Sequence, residues 1–213
     1  MMSTFNALEQ ADEYKMIPAG REDLDVRMLG KGRPFVMEIK NCRKKFLPLE
    51  KLQDETFTSK FLKDDLGLED VYTTDKSALN LLKEGAEEKT KTYKAVIWLS
   101  SPLTDQDIEK VNSHSNLTVH QKTPLRVLHR RAGLVRDKII HKMNIKGIPG
   151  NRHFATIELH TQAGTYIKEF VHGDFGRTNP SLSSVLGYQV DIVQLDVTSV
   201  EMDFSPIKVE HNK

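Results

Sequence analysis

The chain has 213 residues, 29% of them charged, and a formal net charge of +1, which suits a soluble globular protein and excludes a disordered polyion. No apolar run approaches the ~20 residues of a membrane helix, and Met1–Pro18, with Glu9, Asp12 and Glu13 and no apolar stretch, is not a secretory leader. The lone cysteine, Cys42, excludes an internal disulfide and a cysteine-rich zinc site and fits a reducing compartment, the cytoplasm or nucleus.

In chain order, residues 5–12 read as a short helix. The stretch from Ala19 to Phe35 follows as loop. Arg21, Glu22, Asp23, Asp25, Arg27 and Arg33 stand among three glycines there, too many charges for core. Such a stretch is either a solvated loop or an ion-paired site. Phe35–Ile39 is apolar enough for a buried strand. Leu49, Leu52, Phe57, Phe61 and Leu62 recur at helical spacing and predict a helix over 49–62. Thr74 can cap a second helix over 75–84, with Leu79 and Leu82 inward and Gly85 as its stop.

Ala95–Leu99 (AVIWL) reads as a central strand. Thr104 and Asp107 have the spacing of a capping box and open a helix running to about Asn112. Leu117–His120 is a short strand. Leu134–Met143 is strand-like but heavily charged, and Phe154–His160 alternates like a half-buried strand. Gln162-Ala163-Gly164 is a turn, after which Thr165 restarts a strand that passes into a short helix ending near Gly176. Asn179-Pro180 opens a further helix that Gly187 closes. Residues 188–204 read as two strands. There is no internal repeat or Pro/Gly linker, and the pattern is α+β. The boundaries expected are an N-terminal extension or truncated remnant over 1–18, one domain over 19–206 and a tail over 207–213.

The small net charge hides an uneven distribution. Lys122–Arg152 carries nine lysines and arginines against the single acid Asp137, while Glu50–Glu88 carries eleven acids against five lysines. A basic segment on a neutral protein can hold a polyanion by itself, or it can be a solvated face. His172-Gly173-Asp174 could suggest a metal ligand set, but no second cluster accompanies it, so no metal is expected.

Four blocks in order carry a resemblance. Gly20-Arg21-Glu22-Asp23 matches the Gly-Arg-x-Asp signature of pseudouridine synthases. Glu87-Glu88-Lys89-Thr90-Lys91-Thr92-Tyr93 and the run from Lys122 to Arg131 (KTPLRVLHRR) follow. The run from Gln162 to Thr178 (QAGTYIKEFVHGDFGRT) completes them. Together they resemble the archaeal and eukaryotic family that makes pseudouridine at positions 54 and 55 of the tRNA TΨC arm, over about Ala19–Phe204.

That resemblance implies an α+β pseudouridine synthase fold, with a mostly antiparallel central sheet in two fused halves and a cleft. It implies a cofactor-free isomerase acting on tRNA; the sequence itself shows no required protein partner, and a monomer is the expectation. Asp23 would be the catalytic carboxylate, attacking the sugar carbon or removing a sugar proton. Asp25 is the rival carboxylate. Lys168 would be the cation beside Asp23, Tyr93 would stack on the flipped base, and Arg21 would sit by the vacated stack or a phosphate. Ile167, Tyr166 and Leu186 would line the pocket. Arg126, His129, Arg130, Arg131 and Arg177 would meet the RNA backbone, although Arg27 and Arg33 read as structural ion pairs. Family members carry a large RNA-binding domain before this point, so the chain is expected to be a catalytic domain alone. Two other readings keep some of these features: a non-catalytic tRNA-binding or RNA-processing adaptor, and a glycoside hydrolase, which the basic segment and the lack of a spaced acid pair oppose.

Overall fold

The structure is a computed structural model and describes residues 11–43 and 67–209. The predicted helix over 49–62 lies outside the described residues, as does all but the end of the one over 5–12. The chain divides into two compact units, one of residues 1–19, 34–85 and 203–213, the other of residues 20–33 and 86–202.

In the first unit, β1 (Glu13–Pro18) and β3 (Phe35–Lys40) form an antiparallel ribbon with Tyr14 opposite Ile39 and Ile17 opposite Val36. The predicted strand is there, but its side chains are half-buried rather than buried. Lys40 Nζ lies 2.8 Å from a Glu13 oxygen at its open end. Helix α1 (Ser77–Glu88) begins two residues later than its predicted cap region. The Asp75 carboxylate, not Thr74, takes the Ser77 N–H at 2.8 Å. The helix also runs through Gly85, whose low helix propensity costs only ~1 kcal/mol. The next element ends it: Thr90 already pairs with Gln162 and Glu201.

The second unit is built on a seven-stranded sheet. Its strands are β2 (Val26–Met28), β4 (Thr90–Leu99), β5 (Ser115–Lys122), β6 (Val135–Ile148), β7 (Asn151–Gln162), β8 (Thr178–Asn179) and β9 (Val190–Glu201), in the order β2-β9-β4-β7-β6-β5-β8. Every pairing is antiparallel except β2 with β9. Alternation in β4 buries Tyr93, Ala95, Ile97 and Leu99, which meet Ala155, Ile157 and Leu159 of β7 in the core. Helices α2 (Asp105–Asn112), α3 (Ile167–His172) and α4 (Leu182–Leu186) contribute Val111, Phe170, Val171 and Leu182 to it.

Thr104 and Asp107 form the capping box read from sequence. Helix α4 starts elsewhere than predicted. Ser181 caps it, in a reciprocal box with Ser184, because Asn179 is already committed to β8, opposite His120. The two strands expected over 188–204 are one, β9, whose register against β4 shifts twice. Residues Val193 and Thr198 are the extra ones at these shifts, and they break the alternation that a single flat strand would show.

Candidate active site

The loop that holds Asp23 is fixed from both ends. Strand β2 follows it at once, with Val26 opposite Leu195 and Met28 opposite Val197 of β9. At the other end Gly20 has φ +98°, and a Cβ there would stand 3.2 Å from Lys89 Nζ and 3.4 Å from Arg33 Nη1. Between them, Glu22 accepts hydrogen bonds from Arg33 Nη2 and Lys91 Nζ, each at 2.5 Å. The loop is thereby stapled to β4 two residues before Tyr93.

Three cations crowd around this one carboxylate. Burial first, then the charges of Lys91 and Arg33, push the Lys89 pKa down to about 8. Burial, reinforced by Glu22, holds the Tyr93 hydroxyl well above its ordinary value, so Tyr93 is a neutral phenol at any working pH.

The opposite wall comes from the segment after β7. Gly164, with φ +73°, makes the turn, and Gln121 of β5 then holds the Tyr166 peptide from both sides. Its Nε2 donates to the Tyr166 oxygen and its Oε1 accepts from the Tyr166 N–H, both at 3.0 Å. This buried amide substitutes for a strand partner and lets α3 begin at Ile167. The strand predicted from Thr165 is therefore a turn followed by the first turn of a helix, and Lys168 and Glu169 leave that turn side by side.

The two walls meet through ion pairs. Arg126, from the 3-10 helix Leu125–Arg130, places Nη1 at 3.0 Å and 2.9 Å from the two Asp23 oxygens. Its Nε donates to Glu169 Oε1 at 2.7 Å, and Glu169 is only 2% exposed. Burial works against the Arg126 charge, but Glu169 and Asp23 outweigh it and hold its pKa above the usual arginine value. Lys168 Nζ lies 3.7 Å from Asp23 and 2.6 Å from Asp25. The hydrogen bond from Lys168 holds the Asp25 carboxyl below the usual aspartate range.

Arg21, Asp23, Tyr93, Tyr166, Ile167 and Lys168 line one pocket, with Arg126, Arg130 and Arg131 on its basic side. Arg131 Nη1 donates to the Tyr166 hydroxyl at 2.8 Å. Three residues read as site residues stand outside this lining. Leu186 is packed in the core, and His129 is on the exposed side of its 3-10 helix. Arg177 is turned to the Thr123 carbonyl at 2.7 Å. Glu22, Gln121 and Glu169 carry structural work that sequence reasoning passed over. Glu169 was within reach, since it shares its short helix with the buried Ile167, Phe170 and Val171. Among the described residues, no group of three His, Cys, Asp or Glu is placed to hold a metal, and no helix is long and apolar enough to cross a membrane.

The family model described as "Pus10, C-terminal" matches residues 1–201. The chain belongs to the Pus10 C-terminal family. It is 42% identical over 200 residues to the Homo sapiens protein named tRNA pseudouridine synthase Pus10, covering 94% of this chain and 37% of that one. Archaeal Pus10 proteins are similar as well. The Thermofilum pendens protein is 38% identical over 195 residues, covering 91% and 43% of the two chains. The Methanocaldococcus jannaschii protein is 40% identical over 189 residues, covering 88% and 40%. The chain thus spans about two fifths of the length of the curated Pus10 relatives it matches. A solved Cbf5-Nop10-Gar1 complex contains a chain 15% identical, with a TM-score of 0.46 over 91% of this chain and 60% of that one.

Proposed function

We propose that this chain isomerises uridine to pseudouridine in the TΨC arm of tRNA, at position 55, 54 or both, with Asp23 as the catalytic carboxylate. The observation that carries the reading is the placement of the Asp23 carboxylate in a pocket, 2.9 Å from Arg126 and 3.7 Å from Lys168. Neighbouring cations favour the ionised carboxylate, the form needed either to attack the sugar carbon or to take a sugar proton. The names of the relatives, tRNA pseudouridine synthase, support the substrate class.

The reaction is balanced within the nucleotide. The glycosidic C–N bond breaks, the freed base turns in the pocket, and its C5 bonds to the sugar carbon. The C5 hydrogen leaves as a proton and the released nitrogen gains one. Tyr93 and Ile167 bound the space in which the base turns, and the target must leave its stack because its reacting atoms are covered inside a helix. Arg130 and Arg131 line the pocket's basic side, which supports a role in meeting phosphates.

The test is release of tritium from tRNA labelled at uridine C5. Asp23→Asn should lose release while retaining tRNA binding. Release by that variant at the rate of the unaltered chain would overturn the assignment.

A further inference from the structure

Between α3 and β8 four consecutive residues take left-handed backbone angles: Gly173 (φ +85°), Asp174 (+46°), Phe175 (+57°) and Gly176 (+81°). Glycine adopts these angles freely, but aspartate does so less readily, and for a bulky aromatic they mark strain. Strain of this kind persists only where the surroundings over-determine it, and here they do. The Gly173 N–H donates to the Glu169 carbonyl at 2.8 Å, and the Gly176 and Thr178 N–H groups donate to the Gly173 carbonyl at 3.0 and 3.1 Å. Asp174 is buried. Its N–H donates to His172 Nδ1 at 3.0 Å, and its carboxylate accepts from the Leu125 N–H at 3.3 Å and lies 3.4 Å from Arg177 Nε.

This braced turn presents Phe175, which is 93% exposed. A solitary exposed apolar side chain is ordinary. A strained and heavily bonded backbone whose central residue adds nothing to the core is not. The turn is also tied to the basic segment. Arg177 Nη2 donates to the Thr123 carbonyl at 2.7 Å, and the Lys122 N–H donates to the Arg177 carbonyl at 3.0 Å. Lys122 and Arg130 of that segment are exposed, and Arg126 from its middle reaches Asp23. A single ring offers far too little area for a protein interface. It suits a nucleobase, whose face stacks on an aromatic while its phosphates meet nearby cations.

We propose that Phe175 is a stacking platform for an unpaired base of the bound RNA, outside the catalytic pocket, with Lys122 taking a flanking phosphate. The proposal rests on the reading of this chain as an RNA enzyme. It gives that enzyme a second contact, joined to Asp23 through Asp174, Leu125 and Arg126.

The test uses the 213-residue chain and an unmodified tRNA transcript. Phe175→Ala and Phe175→Leu should each raise Kd about tenfold, the effect of one lost base–aromatic stack, while Phe175→Tyr binds like the unaltered chain. Phe175→Trp should show saturable fluorescence quenching on tRNA addition, beyond the background from Trp98. Binding by Phe175→Leu as tight as that of the unaltered chain would overturn stacking, as would Phe175→Trp fluorescence unmoved by saturating tRNA. Quenching and tenfold losses without any C5 tritium release would leave the stacking site standing and remove the isomerase reading. Tritium release with unaffected variants would do the reverse.

Discussion

Lys168 gives its ammonium to Asp25, at 2.6 and 2.8 Å from the two oxygens, and stands 3.7 Å from Asp23. The nearest cation to Asp23 is instead Arg126. The Asp25 side chain is 69% exposed, and an ion pair so open to water contributes little, ~0–1 kcal/mol. Lys168 is therefore free to exchange between two carboxylates at small cost, and the two aspartates are separable by experiment.

Asp23→Asn is expected to abolish C5 tritium release, whereas Asp25→Asn keeps at least a tenth of it, since its loss leaves Lys168 with Asp23 as its partner. Steady-state release from tRNA measures both. The opposite ranking would move the chemistry to Asp25.

Arg126→Met should destabilise the fold by about 1–3 kcal/mol, because the buried Glu169 carboxylate loses the donor that offsets its desolvation. Among the described residues, Glu169 Oε2 has no hydrogen-bond partner. Adding Glu169→Gln to Arg126→Met should recover part of the loss. Thermal melts resolve this at roughly 2–4 °C per kcal/mol for a domain of this size. A double variant less stable than Arg126→Met would contradict the pairing.

Glu22→Gln removes the charge that Arg33 and Lys91 share. The buried Lys89 and Lys91 and the half-buried Arg33 then lose that charge, and the Lys89 pKa, which Glu22 raises, should fall further. The expected outcome is lower stability together with slower tritium release and little change in tRNA affinity. A variant that melts and turns over like the unaltered chain would show that this clamp does not position Asp23.

The Lys89 pKa, pushed down to about 8 by burial and by Lys91 and Arg33, sets a pH dependence. Between about pH 8 and the ordinary lysine value of 10.5, the unfolded chain holds this proton and the folded chain does not. Stability from this residue therefore rises with pH across that window. The denaturation midpoint of the unaltered chain should rise relative to that of Lys89→Met from pH 8 to 10. Parallel curves would place the Lys89 pKa at its ordinary value.

Replacing Arg130 and Arg131 together by Ala should weaken binding to all tRNAs about equally. It should also lower the salt slope by up to ~0.9 per lost phosphate contact on a duplex arm. Because Arg131 also holds the Tyr166 hydroxyl, Arg130→Ala alone should affect affinity but not turnover. Filter binding over a salt series, with and without each change, checks both statements.

Local chemistry was legible in the sequence; long-range pairing was not. Thr104 and Asp107 announce α2 because a capping box is written within four residues. Asp23, Tyr93, Ile167 and Lys168 were found as members of motifs, and they share one pocket. The bonds joining Gln121 to Tyr166 and Arg126 to Glu169 depend on which strand end meets which helix, and no spacing in the chain encodes that. Strands β1 and β2 were missed for another reason. Charged residues interrupt them, and β2, with three residues, is too short to show a period. Position 165 misled because apolar Tyr166 and Ile167 fit either strand or helix until Gln121 removes the strand's hydrogen bonds.

Thr198 is the extra residue of β9 between the partners of Thr92 and Tyr93. Thr198 sends its hydroxyl to the Thr92 carbonyl at 3.2 Å. Its own carbonyl lies 2.4 Å from where a side chain on Gly30 would begin. Just before it, Val197 pairs with Tyr93 and takes the Leu29 N–H at 2.8 Å. One bulge thus meters chain length for both the end of the Asp23 loop and the start of the Tyr93 wall. Many substitutions along β9 leave that count intact. Deleting Thr198 does not: Ser199 then follows Val197 with no bulge between the partners of Thr92 and Tyr93, and the carbonyl that closes on Gly30 is lost. This edge of the sheet tolerates changes of side chain far better than changes of length.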